Sequence, residues 1–381
     1  MILSIFYNDI VVITYIKTSV SIQFLYLSKW DVLKHLQSLT YSKINFYFSL
    51  NNINPLVHGM ESSNYSTVEK KTKIFLEKLQ QSDGAPLYTL TPTEARNVLS
   101  GLQAGPIEKL PAEIENKTIP VGPNGEISIQ IVRPSGSGNQ TLPVVMYTHG
   151  GGWVLGNFDT HERLLRELAN GGHAAIVFVN YTLSPEAKYP QSVEEAYAAT
   201  KWISENGQSL NLDSSRLVVA GDSVGGNMAT TVALLAQERG GPPIIFQMLF
   251  YPVTDANFNT SSYNTYQEGY FLTRDNMKWF WDNYVSNDTN RKEPTVSPLQ
   301  ASIEQLSGLP PTLIIVGEND VLRDEGEAYA HKLMQAGVPT TAIRYLGAIH
   351  DFMMLNPISD TPAARGAIDQ ASHTLKEVFS K

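Results

Sequence analysis

The chain has 381 residues, of which 42% are hydrophobic, and this is enough for one large globular domain or two ordinary ones. Its formal net charge is −9 at pH 7 and it has no dense run of Lys and Arg, so nucleic acid is not an expected partner. Because cysteine is absent, disulfides, thiolate catalysis and zinc–thiolate sites are excluded. A cytoplasmic location is expected, although the lack of cysteine does not exclude secretion.

Residues 1–59 differ in composition from the rest of the chain, with ten of the 37 aromatic residues but only four basic and two acidic ones. Their best apolar run, residues 10–16, is shorter than the roughly 20 residues of a transmembrane helix. A signal peptide's basic start is also missing. We predict an atypical extension that is poorly packed or not native, with Met60 as the functional start. The alternative is a weak membrane anchor, and stable membrane insertion is not expected.

The pattern becomes helical from residue 66, and a second helix is predicted after Thr91, which can cap it ahead of Pro92. Residues 126–131 then alternate apolar and polar, as in a half-buried strand. Short apolar runs that follow, separated mostly by helical stretches, indicate a mainly parallel sheet flanked by helices. These runs are residues 142–147, 174–179, 217–220, 244–250 and 312–316. Residues 255–298 lack a strand signal and are rich in aromatics, which predicts an inserted helical lid, and residues 363–379 form the closing helix.

Residues 221–225 have the sequence GDSVG, directly after a predicted strand and before a helical stretch. This is the context of a nucleophile elbow, a sharp turn that presents a serine hydroxyl, here Ser223, free of its surroundings. The other interpretation of the motif alone is a glycine-rich turn in which Ser223 is merely polar. A phosphate-binding loop is excluded because the Gly-Lys-Ser/Thr ending is absent.

Residues 149–153, with the sequence HGGGW, follow the strand predicted at 142–147. Acyl transfer places negative charge on a former carbonyl oxygen, and backbone N–H groups of consecutive glycines can meet that charge without obstruction by a Cβ atom. Val224, the residue after the candidate nucleophile, would supply a further N–H group. A flexible loop is the alternative for this motif. We expect His149 to organise the loop, because in this order of motifs the catalytic base comes last.

Three histidines follow Ser223: His331, His350 and His373. Residues 340–346 are predicted as a further strand, and only His350 lies in a loop directly after a predicted strand, where a base would reach the edge of the sheet. The other two histidines fall in predicted surface helices. Asp320 is the candidate acid because it follows the strand at 312–316, with a simple helix cap as its alternative role.

Glu318 and Asp324 are the reserve candidates for the acid. The order of serine, acid and histidine, each after a predicted strand, favours a catalytic triad over a chance combination of turns.

These motifs resemble the hormone-sensitive-lipase-like branch of the α/β-hydrolases, the bacterial family IV type of esterases and lipases. The resemblance extends over about residues 62–381 and includes residues 181–186 (YTLSPE) and 319–325 (NDVLRDE), which are similar to two further blocks of that family. It implies an α/β-hydrolase catalytic domain at 60–381, with a helical cap from about 62–105 and 255–298.

The resemblance also implies the roles of individual residues. Ser223 would be the nucleophile, His350 the general base and then acid, and Asp320 the orienting carboxylate; the oxyanion hole would be formed by Gly151, Gly152 and Val224. Three departures from the family pattern occur. Thr182 replaces the usual Arg, Val224 replaces Ala and adds bulk beside the nucleophile, and Asp351 stands where Gly often follows the histidine.

We expect a carboxylesterase that hydrolyses short- to medium-chain acyl esters through an acyl-enzyme, without metal or cofactor. A small-molecule ester is the expected partner, and a homodimer is left open. An amidase, deacetylase or peptidase on the same scaffold is one alternative, since the pocket selects the leaving group. A non-catalytic ligand-binding homologue, like the gibberellin receptors that lack the catalytic histidine, is another, and His350 argues against it.

Overall fold

The structure is a computed structural model that describes residues 2–7, 10–15, 23–28, 65–82, 84–285 and 290–381. The chain divides into two units, Met1–Asn64 and Tyr65–Lys381. In the first unit three strands pair in antiparallel fashion in the order β1-β2-β3; they are β1 (Ile2–Tyr7), β2 (Ile10–Tyr15) and β3 (Gln23–Ser28). The predicted extension at 1–59 lies mostly outside the described residues and stays a prediction.

The second unit contains an eight-stranded sheet with the order β11-β10-β9-β8-β6-β7-β5-β4. Strand β5 runs antiparallel to both of its neighbours, and the remaining strand pairs are parallel. The strands are β4 (Ala112–Ile119), β5 (Ile127–Pro134), β6 (Leu142–Thr148), β7 (Ala175–Val179), β8 (Leu212–Asp222), β9 (Phe246–Phe250), β10 (Thr312–Asn319) and β11 (Thr340–Ile349).

Helices fill the intervals between most of these strands. They are α1 (Lys70–Gln80), α2 (Pro92–Gln103), α3 (Phe158–Gly172), α4 (Gln191–Asn206), α5 (Val224–Arg239), α6 (Ser261–Thr265), α7 (Arg274–Tyr284), α8 (Ile303–Leu306), α9 (Arg323–Gln335) and α10 (Pro362–Phe379). The predicted α/β-hydrolase fold, a mostly parallel sheet flanked by helices, is confirmed. Within the described ranges, no helix is both long and apolar enough to cross a membrane.

The five apolar runs predicted as strands correspond to β6 to β10, and their nearly complete burial explains why they read as continuous apolar stretches. Strand β4 was not predicted. It pairs only with β5 at the edge of the sheet and leaves most of its side chains exposed or half-buried, so its sequence AEIENKTI carries little apolar signal.

Local sequence signals set the ends of the helices near the site. The Thr91 hydroxyl accepts a hydrogen bond from the N–H of Glu94, and the Glu94 carboxylate accepts one from the N–H of Thr91, so α2 begins with a capping box. Helix α5 begins one residue after β8 ends and is buried from Val224 to Ala236, where it contacts β6, β8 and β9. The single residue between strand and helix is Ser223.

We predict that Ile314→Ala lowers the free energy of unfolding by about 3 kcal/mol, because its fully buried side chain in β10 leaves a cavity when it is removed. Leu346→Ala in the neighbouring strand β11 is the matched control, since that side chain is 72% exposed and its loss should cost under about 0.5 kcal/mol. Urea titration followed by circular dichroism measures both values. Equal losses for the two variants would contradict the assigned burial.

Candidate active site

Ser223 occupies the sharp turn between β8 and α5, with φ 54° and ψ −121°, a combination that side chains rarely adopt. Two backbone hydrogen bonds hold it there: its N–H donates to Phe250 at 2.8 Å, and its carbonyl accepts from Val253 at 3.1 Å. A Cβ atom on Gly225 would lie 2.0 Å from the carbonyl oxygen of Thr148, so this position accepts only glycine. The turn therefore fixes the backbone from which the Ser223 hydroxyl projects.

His350 contacts both of the other residues predicted for the triad. Its Nε2 atom lies 2.9 Å from Ser223 Oγ, and its Nδ1 atom lies 2.7 Å from Asp320 Oδ2. The second carboxylate oxygen of Asp320 accepts a hydrogen bond from the N–H of Leu322 at 2.9 Å, which fixes the carboxylate. All three side chains are buried. The arrangement can move a proton from the hydroxyl to the imidazole, with the carboxylate orienting the ring.

The other candidates for acid and base lie elsewhere. His331 and His373 are exposed on helices α9 and α10. Glu318 accepts a hydrogen bond from the N–H of Gly347, and Asp324 accepts one from a backbone N–H of helix α6. Of the three candidate acids, Asp320 is therefore the one whose carboxylate contacts the imidazole of the candidate base.

The three residues predicted for the oxyanion hole have available backbone donors. Within the described part of the chain, the N–H groups of Gly151, Gly152 and Val224 make no hydrogen bond. Gly151 and Gly152 line the same cavity as Ser223. Such N–H groups can stabilise negative charge that develops on a bound carbonyl oxygen.

Asp222, which precedes Ser223, holds the glycine loop in place. One of its carboxylate oxygens accepts hydrogen bonds from Tyr147 Oη at 2.7 Å and from the N–H of Gly150 at 3.0 Å, and the other lies 3.2 Å from His161 Nε2. Burial opposes the charge of Asp222, but His161 and Tyr147 hold the pKa of this carboxyl below its usual value. Burial also opposes the positive charge of His161, but the neighbouring Asp222 outweighs burial and raises the pKa of His161.

His149 lies in the loop and organises it, as predicted. Its ring stacks on Tyr181 with a centroid distance of 4.4 Å and on Phe178 at 5.1 Å, and its Nδ1–H donates to the carbonyl of Gly150 at 2.7 Å. Burial, together with the nearby His161, lowers the pKa of His149 to about 3, so the ring is neutral at physiological pH.

A cavity of about 270 Å³ opens above Ser223 and His350. Its walls come from residues 86–102 and 271–280, which belong to the two segments predicted as the cap. Most of the lining is apolar, and the apolar side chains include Leu87, Val98, Leu99, Leu102, Leu155, Phe271, Leu272, Met277 and Phe280. The shape and lining suit a small apolar group bound next to the hydroxyl.

Both of the segments predicted as the cap contact the loop that carries the glycines. The indole of Trp153 stacks on Tyr284 of α7 with a centroid distance of 4.1 Å and meets Trp281 at 4.9 Å. From α2, Arg96 Nε donates to the carbonyl of Val154 at 2.8 Å. Sequence patterns did not single out Arg96, because its partners lie far along the chain.

The three departures from the family pattern have different surroundings. Thr182 donates two hydrogen bonds, from its N–H at 2.6 Å and its hydroxyl at 2.9 Å, to the buried carboxylate of Glu195. Val224 is fully buried at the start of α5. Asp351 is the residue whose importance the sequence did not reveal, since its Oδ1 atom lies 3.3 Å from His350 Nε2. The only signal for it was the acidic residue in the place of glycine.

The carboxylates around His350 change its basicity. Burial alone would lower its pKa, but Asp320 and Asp351 outweigh burial and raise the pKa of His350 to about 9. The imidazole is therefore a stronger base than a histidine in water.

The serine hydrolases of the α/β-hydrolase class have a serine at a strand–helix turn, a histidine that contacts its hydroxyl, and free backbone N–H groups in the same site. Residues 145–354 match the family described as the alpha/beta hydrolase fold, and the chain belongs to that family. The resemblance to its hormone-sensitive-lipase-like branch is confirmed, as is the prediction that the chain is an enzyme of this class.

Individual relatives extend over most of the chain. An α/β hydrolase of Acanthamoeba polyphaga mimivirus is 42% identical over 311 residues, covering 82% of this chain and 88% of that protein. A carboxylesterase of Mycobacterium tuberculosis is 38% identical over 278 residues, covering 70% of this chain and 86% of the relative. The crystal structure of a thermostable esterase from Pseudomonas putida is 51% identical, with a TM-score of 0.80, and the match covers 82% of this chain and 98% of that one.

We predict that kcat/KM for hydrolysis of a simple ester rises with pH through the pKa of His350, about 9, and is level above it, because only the neutral imidazole accepts a proton. Asp351→Asn removes a neighbouring negative charge, which lowers the pKa of His350 and should move the midpoint down by about one pH unit or more. The measurement is a pH-stat titration with ethyl butyrate.

Asp369→Asn is the matched control, because Asp369 is exposed, and this variant should keep the midpoint of the native protein. Identical midpoints in the native protein, Asp351→Asn and Asp369→Asn would contradict the prediction.

We predict that Asp222→Ala lowers kcat by about a hundredfold, because the glycine loop loses the acceptor of the Gly150 N–H and its donors shift from the oxyanion position. Tyr147→Phe removes a single hydrogen bond to the same carboxylate and should cost under about tenfold. Steady-state kinetics on an ester substrate compares them, with circular dichroism as the check on folding. Full activity of Asp222→Ala would show that the loop keeps its position without this carboxylate.

Proposed function

We propose that this protein is a serine carboxylesterase that hydrolyses short- to medium-chain acyl esters through an acyl-enzyme. The observation that carries the proposal is the pair of contacts made by one imidazole, 2.9 Å to Ser223 Oγ and 2.7 Å to Asp320 Oδ2, at the floor of an apolar cavity. The carboxylesterase and esterase names of the relatives support the same reaction.

In the acylation half-reaction, Ser223 Oγ attacks the carbonyl carbon of the ester while His350 Nε2 takes the hydroxyl proton. The carbonyl oxygen becomes an oxyanion and receives hydrogen bonds from the N–H groups of Gly151, Gly152 and Val224. When the tetrahedral intermediate breaks down, Nε2 gives its proton to the leaving alcohol oxygen. The alcohol departs and the acyl group stays on Ser223.

Deacylation repeats these steps with water as the nucleophile. Water loses a proton to His350 Nε2 and its oxygen attacks the acyl carbon, and the same three N–H groups stabilise the second oxyanion. Nε2 then returns the proton to Ser223 Oγ as the carboxylic acid leaves. Asp320 stabilises the imidazolium in both halves and keeps Nε2 directed at the hydroxyl. The mechanism needs only these side chains and backbone groups.

The size of the cavity supports the proposed limit on chain length. About 270 Å³ is at the lower end of ligand pockets, which suits a short or medium acyl group, and its apolar lining matches an aliphatic chain. A long fatty acyl chain would have to extend past the rim, where Tyr88 and Val98 are exposed. Its additional methylene groups would gain little from burial there.

We predict that the protein hydrolyses p-nitrophenyl acetate and butyrate, and that Ser223→Ala lowers kcat by at least about 10⁴-fold because the nucleophile is lost. Circular dichroism of the variant should match that of the native protein. Across p-nitrophenyl esters from acetate to palmitate, kcat/KM should fall steeply beyond medium chains.

The same panel separates the alternatives. The matching p-nitroanilides test amide cleavage, and faster turnover of the anilides than of the esters would replace the esterase by an amidase. Unchanged ester turnover in Ser223→Ala would overturn the mechanism. Tight binding of esters by a native protein that does not turn them over would indicate the ligand-binding homologue.

A further inference from the structure

Asp351 places a second carboxylate beside the imidazole of the candidate base. Its Oδ1 atom lies 3.3 Å from His350 Nε2, the nitrogen that faces Ser223, and the residue lines the cavity with only 6% of its surface exposed. Oδ1 is buried and receives no hydrogen bond from any residue in the described ranges. The ion pair with His350 offsets part of the cost of burying this charge, and the carboxylate of this cavity-lining residue keeps the capacity to accept a further hydrogen bond.

The backbone holds the Asp351 carboxylate at this place. The residue has φ 60°, in the left-handed region, and its carbonyl accepts hydrogen bonds from the N–H groups of Met354 and Leu355, both at 2.9 Å. These bonds fix the turn after His350. Burial raises the pKa of Asp351 to about 6, so the side chain is ionised at neutral pH and can only accept hydrogen bonds.

The position of Asp351 relative to Nε2 indicates which part of a substrate it meets. In the proposed mechanism Nε2 delivers its proton to the oxygen of the leaving alcohol, so that oxygen lies next to Nε2 and therefore near Asp351 Oδ1. The surrounding wall is apolar, with Leu99, Leu155 and Phe280 among the lining side chains. A hydrogen-bond donor that reaches the Asp351 carboxylate would therefore belong to the alcohol part of the substrate and lie close to the ester oxygen.

We propose that Asp351 is a specificity-determining residue that accepts a hydrogen bond from a hydroxyl group on the second carbon of the leaving alcohol. The preferred substrates would then be short-chain monoesters of vicinal diols and polyols. This inference rests on the proposed esterase function and defines its alcohol side. A hydroxyl fits better than an ammonium group because it loses less hydration when it enters the apolar cavity.

The test compares 2-hydroxyethyl butyrate with propyl butyrate, which has the same number of heavy atoms in the alcohol. We expect the full-length native protein to favour the hydroxyethyl ester by about tenfold or more in kcat/KM, because the propyl ester brings the carboxylate no further hydrogen bond and places a methyl group beside it. Since both substrates need neutral His350, the ratio at one pH is independent of its ionisation. 2-Methoxyethyl butyrate, which is polar but has no donor, should show no such preference.

Two variants assign the preference to the side chain. Asp351→Gly removes the carboxylate and tolerates φ 60°, and it should bring the ratio to within about twofold of unity. Asp351→Asn keeps an acceptor oxygen and the side-chain shape and should retain part of the preference. Urea titration of each variant verifies that it is folded.

A ratio that is equal in the native protein and Asp351→Gly would overturn the proposal, as would equal preference for the methoxyethyl and hydroxyethyl esters. Failure of this inference remains separate from failure of the esterase function. If the native protein hydrolyses p-nitrophenyl butyrate but does not distinguish the hydroxyethyl ester, only the role of Asp351 is wrong. If no ester is hydrolysed, the proposed function itself is wrong.

Discussion

The buried carboxylate of Asp222 joins the strand that carries Ser223 to the glycine loop opposite. Taking a carboxylate out of water costs several kcal/mol unless donors replace the water, and here the donors come from three separate elements. They are the Tyr147 hydroxyl at the end of β6, the Gly150 N–H in the loop and the His161 imidazole on α3. Because each partner is needed to keep the charge satisfied, the position of the loop is set by the burial of this one group. The next two glycines are thereby held in the wall of the cavity that Ser223 also lines.

The two segments predicted as the cap contact the same loop, which relates the size of the cavity to the geometry of the proposed reacting groups. Trp153 follows the glycine run and stacks on Tyr284 of α7. Arg96 of α2 donates a hydrogen bond to the carbonyl of Val154. Arg96 also forms a bidentate pair with Glu186, with distances of 2.8 and 2.6 Å. Aromatic stacking and a bidentate guanidinium contact both have strict geometry. The cavity walls from these two segments are therefore positioned relative to the glycines predicted as oxyanion donors, and a change in their packing would alter both the volume of the pocket and the placement of the loop.

The sequence predicted the central strands and the order of the triad motifs because both leave local signals. A strand buried on both faces appears as a continuous apolar run, and the residues predicted as nucleophile and acid follow such runs. His350 follows the edge strand β11, most of whose side chains are exposed or half-buried, and it was predicted as the base from its loop position and its place in the order of motifs. Strand β4 has neither signal, since only one side of it is paired and most of its side chains are exposed or half-buried. His161 could not be connected with Asp222 from the sequence, because 61 residues separate them and no motif links a helix interior to a strand end. Arg96 and Glu186, 90 residues apart, were hidden for the same reason.

Backbone strain in the described ranges is concentrated around the proposed reacting groups. Seven non-glycine residues there have positive φ; they are Trp153, His173, Asn211, Ser223, Tyr251, Phe271 and Asp351. His173 and Asn211 end helices, where a left-handed residue is usual. The other five belong to the site: Ser223, Asp351 and Phe271 line the cavity, the Tyr251 ring packs 5.0 Å from the His350 ring, and Trp153 follows the glycine run.

Backbone strain of this kind persists only where the surrounding structure over-determines the backbone, and it is common where a site requires side chains in fixed directions. At Asp351 the strain coincides with a buried carboxylate whose charged partner in the described ranges is His350 Nε2, at 3.3 Å. A glycine here would adopt the same backbone without strain and without the buried charge, so the fold itself requires neither feature. The charge raises the pKa of His350, and in the proposed specificity role it also accepts a hydrogen bond from the alcohol side of the substrate.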